Sequence, residues 1–78
     1  MQQSQEDLNA IVNNAYSLTL QAYQLVGSAQ WLSNDQRRQI NTAISAVQAL
    51  MSSYPVDYSA LQNASSNLRS QLQAAGLM

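Results

Sequence analysis

The sequence has no cysteine, no histidine and no lysine, and it holds only two glycines and one proline. Each absence removes a class of chemistry. Without cysteine there is no disulfide staple, no thiolate nucleophile and no cysteine-based metal site. Without histidine, the commonest metal ligand and the usual general base at neutral pH are missing. The eleven serines have neither a histidine nor a lysine to activate them. Gly27 and Gly76 lie far apart in the chain, so no glycine-rich loop can cradle a phosphate.

Charge is scarce as well. Three arginines, Arg37, Arg38 and Arg69, stand against four carboxylates, Glu6, Asp7, Asp35 and Asp57, for a net charge of −1. Nucleic-acid binding draws most of its affinity from cations that neutralise phosphates. Three arginines argue against a nucleic-acid partner. No run approaches the ~18 consecutive apolar residues of a membrane-spanning helix. The opening Met1-Gln2-Gln3-Ser4-Gln5-Glu6-Asp7 lacks the basic-then-apolar order of a signal peptide. The expectation is a soluble chain with no transmembrane segment, no cofactor and no metal.

Seventy-eight residues make a single domain, 1–78. A chain of this size buries only about 60% of its unfolded surface. Its core must come from aliphatic side chains, helped by a partner if they do not suffice. Gln, Asn and Ser dominate the polar positions, which leaves weak electrostatic protection against self-association.

Two breaks, at Gly27-Ser28 and Tyr54-Pro55, separate three segments with helical periodicity. The prediction is an all-α, antiparallel three-helix bundle with helices at about 5–26, 34–53 and 58–75. A helical hairpin with a loosely docked third helix, or helices completed by another subunit, are the alternatives.

The first segment carries the stripe Leu8, Val12, Ala15, Thr19, Ala22 and Val26, flanked by Ile11, Leu18 and Leu25. Glu6 and Asp7 suit the positive end of its dipole, and Gly27 is placed to end it in a left-handed conformation. In the second, Ser33 and Gln36 fit a capping box ahead of Ile40, Ala43, Ile44, Val47, Leu50 and Met51. Arg37 and Arg38 stand near the unfavourable end of that helix, with Asp35 to offset them. In the third, Asp57 is the expected N-cap, and Val56 can staple onto Leu61. Leu61, Ala64, Leu68, Leu72 and Ala75 supply the apolar face, with Gly76 and Leu77 placed for a Schellman ending.

All four carboxylates thus fall at predicted helix starts, where capping and dipole effects account for them. Paired catalytic carboxylates need a shared, partly buried site, and none is visible here. The sequon Asn63-Ala64-Ser65 lies inside a predicted helix and reads as chance. No catalytic residue is expected, and the chain is not expected to be an enzyme.

The first helix departs from this plain picture. Tyr16, Leu20 and Tyr23 widen its apolar arc to more than half the circumference. They either fill grooves against both other helices or form a contact face, since tyrosine is enriched at interfaces. Trp31 poses the same choice: it plugs the bundle end with Leu32, or it is a second anchor exposed beside Tyr54 or Tyr58.

The stretch from Leu32-Ser33-Asn34-Asp35-Gln36-Arg37-Arg38-Gln39-Ile40 through Ala43-Ile44 to Leu50 resembles the C-terminal helical lid of seventy-kilodalton heat-shock chaperones. Leu8-Asn9-Ala10-Ile11-Val12 and the run from Leu61 to Leu68 extend the likeness over roughly residues 7–72. That lid is rich in Lys and Glu, whereas this chain has one Glu and no Lys. Its substrate-binding sheet and nucleotide domain have no counterpart. The resemblance implies bundle topology and no chaperone activity.

The functional expectation is a non-catalytic structural or assembly subunit, of the virion or secreted-assembly type, working through helix-mediated protein contacts. Its partner would be another protein or a second copy, which makes a homo-oligomer possible. The alternative is a monomeric protein-binding module, such as an inhibitor, an adaptor or a lid-like domain.

Overall fold

The computed structural model describes residues 5–78; residues 1–4, part of the polar opening read above, lie outside the described residues. The described residues form three helices: α1 (Gln5–Ser28), α2 (Asn34–Ser52) and α3 (Tyr58–Ala74). Every helix packs on both others, and the Cα envelope measures 43 × 20 × 17 Å. The protein is an all-α three-helix bundle.

Direction follows from which residues meet. Val12 and Thr19 on α1 share a groove with Met51 and Gln48 on α2, so those helices run antiparallel. Ile11 and Leu18 share another with Gln62 and Arg69, so α1 and α3 run parallel.

The core is aliphatic throughout. Ile40, Ile44, Val47, Leu61, Leu68 and Leu72 are sealed from solvent, beside Ala15, Leu18, Ala22 and Val26 of α1. Leu61, Leu68 and Leu72 show that α3 is fully docked, which excludes the hairpin with a loose third helix. Thr19 is the one buried polar residue among the described residues. Its Oγ1 donates to the Tyr16 carbonyl at 2.7 Å, so the hydroxyl enters the core already satisfied. Leu8, Ile11, Val12, Leu25, Leu50, Met51, Ala64 and Ala75, all on the expected stripes, are half-buried at the edges of the core.

The local stop and start signals behave as their chemistry dictates. Ser33 Oγ accepts from the Gln36 N–H at 3.1 Å, while Gln36 Oε1 accepts from the Ser33 N–H at 2.9 Å. Asp57 Oδ1 accepts from the Ala60 N–H at 3.0 Å. At the far end of α3, Gly76 has φ 78, the conformation glycine adopts most cheaply. The Leu77 N–H then bonds to the Leu72 carbonyl at 2.9 Å and the Gly76 N–H to that of Gln73 at 3.0 Å, which completes a Schellman motif. Ser53 and Ala75, expected as the last helical residues, instead cap α2 and α3.

Helix α1 ends differently from the expectation. It runs through Gly27 to Ser28, and Gly27 has no left-handed φ. Helical bonding carries on past the glycine, with the Ala29 N–H on the Leu25 carbonyl at 3.0 Å. The end is capped from outside: Arg37 of α2 donates to the Val26 carbonyl at 2.9 Å and to the Ala29 carbonyl at 2.5 Å. A guanidinium there satisfies orphan carbonyls and complements the negative end of the α1 dipole. Arg37, awkward at the start of its own helix, is well placed at the end of its neighbour.

Trp31 does not plug the bundle end. Leu32 is buried there, while Trp31 is 68% exposed. Consecutive residues in the short α1–α2 loop point in different directions, and only one of them can enter the core. Nor is Trp31 beside Tyr54 or Tyr58, because all 19 residues of α2, about 28 Å of helix, separate the two bundle ends.

A candidate protein-contact face on the first helix

Tyr16, Leu20 and Tyr23 are 57%, 48% and 47% exposed, respectively. Their spacing along α1 puts them on one strip beside the α1–α2 boundary. The reading in which they fill grooves against both other helices is therefore set aside. The reason is geometric. Small residues Ala15, Thr19 and Ala22 occupy the buried line of α1, which lets the partner helices approach closely and leaves the tyrosines outside the contact.

The strip borders an open groove of about 650 Å³ between α1 and α2. Val12, Tyr16, Thr19 and Leu20 line one side, and Gln48 and Met51 the other. Val12 and Met51, expected purely as core residues, pack on the core and also floor this groove. Tyr23 does not line the groove, but its hydroxyl donates to the groove residue Gln48, at Oε1, over 3.3 Å. Helical side chains lean toward their own N-terminus. In antiparallel helices Tyr23 and Gln48 therefore lean toward each other, which bridges their offset along the bundle.

Trp31, the fourth candidate, lies in the loop beyond α1 and does not line the groove. The structure thus gathers three of the four candidate residues and leaves Trp31 apart. Sequence reasoning missed Gln48, for which periodicity offers no signal because it is polar and exposed. Met51 could have been suspected, since it ends the α2 stripe along the chain, where the core thins out.

A second groove of about 400 Å³ runs between α1 and α3, with Ile11, Leu18, Gln62, Ser65 and Arg69 among its lining residues. Ser65 Oγ there, and Gln71 Oε1 elsewhere on α3, are shielded without a hydrogen-bond partner among the described residues. Neither groove is lined by a carboxylate.

The acidic residues sit where helix starts need them. Glu6 and Asp7 are in the first turn of α1 and Asp35 in that of α2, while Asp57 caps α3. Asp35 pairs loosely with Arg38 at 3.9 Å, with both side chains exposed. Among the described residues no three potential metal ligands cluster. No described helix is long and apolar enough to cross a membrane.

What the site offers chemically is apolar and aromatic contact area with hydroxyl and amide groups at its margin. Aromatic side chains are enriched at the cores of protein interfaces relative to the rest of the surface. No family model matches the chain, and neither a curated protein nor a solved structure matches it.

Proposed function

We propose that this chain is a non-catalytic structural or assembly subunit, of the virion or secreted-assembly type, acting through helix-mediated protein contacts. The observation that carries the reading is the exposed Tyr16–Leu20–Tyr23 strip. The half of each side chain left in water adds nothing to the stability of a lone bundle, whereas an interface would bury it. Tyrosine contributes disproportionately to binding where a contact excludes water. The low-charge surface adds support, since little repulsion opposes packing against neighbours. The likeness to a chaperone lid contributes topology to this reading and no activity.

Sedimentation velocity over a micromolar-to-millimolar concentration series tests it. The wild-type chain is expected to sediment faster as concentration rises, and the Tyr16→Gln, Leu20→Gln double variant to stay monomeric with unchanged helicity. A wild-type chain that stays monomeric throughout would remove the assembly reading. The α1–α2 groove then favours the alternative, a monomeric module that receives a helix or a large side chain of another protein.

A further inference from the structure

The charged residues are distributed unevenly along the long axis of the bundle. Glu6 and Asp7 open α1, and Asp57 opens α3, which runs parallel to it. One end therefore carries three negative charges. The other end holds Asp35, Arg37 and Arg38, a net side-chain charge of +1. Arg69 lies about midway, on the α1–α3 side. Between these ends the sequence is uncharged from Leu8 to Asn34 and again from Gln39 to Val56. The α1–α2 face is thus an uncharged panel with a negative end and a positive end.

From this we infer that the partner covering the α1–α2 face is a second copy of the same chain, related by a two-fold axis perpendicular to α1. The inference rests on the assembly reading above and specifies its geometry. Antiparallel pairing sets the −3 end of each copy against the +1 end of the other. A parallel pair would set −3 against −3 and +1 against +1, and like charges brought together are disfavoured. The uncharged panel between them costs no charge desolvation on burial.

Area permits the pairing. One long face of a 43 × 20 × 17 Å envelope is on the order of 800 Å², the surface that a stable interface takes from each partner. A two-fold axis crossing α1 near Leu18 sets Tyr16 of one copy beside Leu20 of the other, and the reverse. This is the self-complementary arrangement that a two-fold interface requires.

The lack of native cysteine makes disulfide trapping clean. Asn13 and Gln24 are exposed, lie near the Leu20 strip by their helical spacing, and flank Leu18 by five and six residues, nearly symmetric about the expected axis. In the antiparallel pair Asn13 of one copy meets Gln24 of the other. Two copies of Asn13 are then about 16 Å apart along the helix, beyond the ~7 Å Cα separation that a disulfide can span. Mixed and oxidised, Asn13→Cys and Gln24→Cys are expected to give the mixed disulfide dimer, while each variant alone gives none.

Disulfide dimers from each variant alone would show a parallel pair. No disulfide in the mixture, with concentration-dependent sedimentation intact, would place the contact on another face. Either result overturns the antiparallel pair and leaves the assembly reading standing, whereas a wild-type monomer at every concentration overturns both. As a second arm, Arg38→Glu removes the positive end and is expected to weaken dimerisation about two- to fivefold at low salt. That difference should fade at high salt; an unchanged affinity at low salt would contradict the charge pairing.

Discussion

Leu18 and Leu20 stand two residues apart on the same helix, yet Leu18 is 4% exposed and Leu20 is 48% exposed. The contrast extends along α1. Its inner line is mostly small, with Ala15, Thr19 and Ala22 beside Leu18 and Val26, while its outer strip carries Tyr16, Leu20 and Tyr23. A helix that met only the demands of its own bundle would place the large groups inside and the small polar ones outside. The small inner residues set how closely α2 and α3 approach, and that closeness keeps the large outer residues out of the core. One helix therefore has two unlike faces: one packed tightly inside the bundle and one left largely uncovered within this chain.

The largest expected effect comes from breaking the inner contact. Leu18→Ala should cost about 2–5 kcal/mol, the range for leucine truncation in a core that collapses only partly around the cavity. In a domain this small, whose whole stability is a few kcal/mol, thermal denaturation followed by circular dichroism should show a largely unfolded chain at 37 °C. A second change sharpens the same point from the opposite side. Ala22 has no measurable exposure, so Ala22→Leu overfills the closest approach and should cost about 1–3 kcal/mol. If that variant were as stable as the wild type, the small inner residues would not be what sets the helix spacing.

Most of the fold was legible because its signals are local. The Ser33–Gln36 box, the Asp57 cap and the Gly76 ending each depend on residues within one turn, and each forms as spacing predicts. What failed was non-local. Gly27 looks like a helix stop by type, but α1 continues through it and ends under Arg37, a residue on the next helix. No spacing rule links Arg37 to Val26. The width of the α1 arc was visible in sequence, whereas which part of it the other helices leave open depends on how the three helices settle together. Trp31 and Leu32 show the same limit at the scale of one peptide, since adjacent apolar residues in a loop carry no mark of which turns inward.

Arg37 gives the next effect in size. Arg37→Met keeps most of the aliphatic stem and removes both donors at the end of α1. Loss of two charge-assisted hydrogen bonds at a half-exposed site, together with the dipole interaction, should cost about 1–2 kcal/mol. For a domain of this size each kcal/mol corresponds to a melting-temperature shift of roughly 4–8 °C. Amide exchange should rise selectively in the last turn of α1, and uniform protection loss along the chain would contradict a local capping role.

The smallest expected effect on stability is the most telling for the comparison. Leu20→Gln keeps an unbranched Cβ and nearly equal helix propensity, on a side chain that already meets solvent. Tyr16→Gln exchanges a ring for a side chain of somewhat higher helix propensity, at a position more exposed still. Each should change the unfolding free energy by no more than about 0.5 kcal/mol, as surface substitutions do. Urea denaturation should be carried out at a concentration where the wild type is monomeric, because association would otherwise add its own stabilisation by mass action. Under those conditions, a loss at Leu20 comparable to that at Leu18 would mean that the strip belongs to the core and that α1 has one working face. A near-zero effect on folding, beside a large effect on sedimentation, separates the two faces of the helix by two independent measurements on one variant.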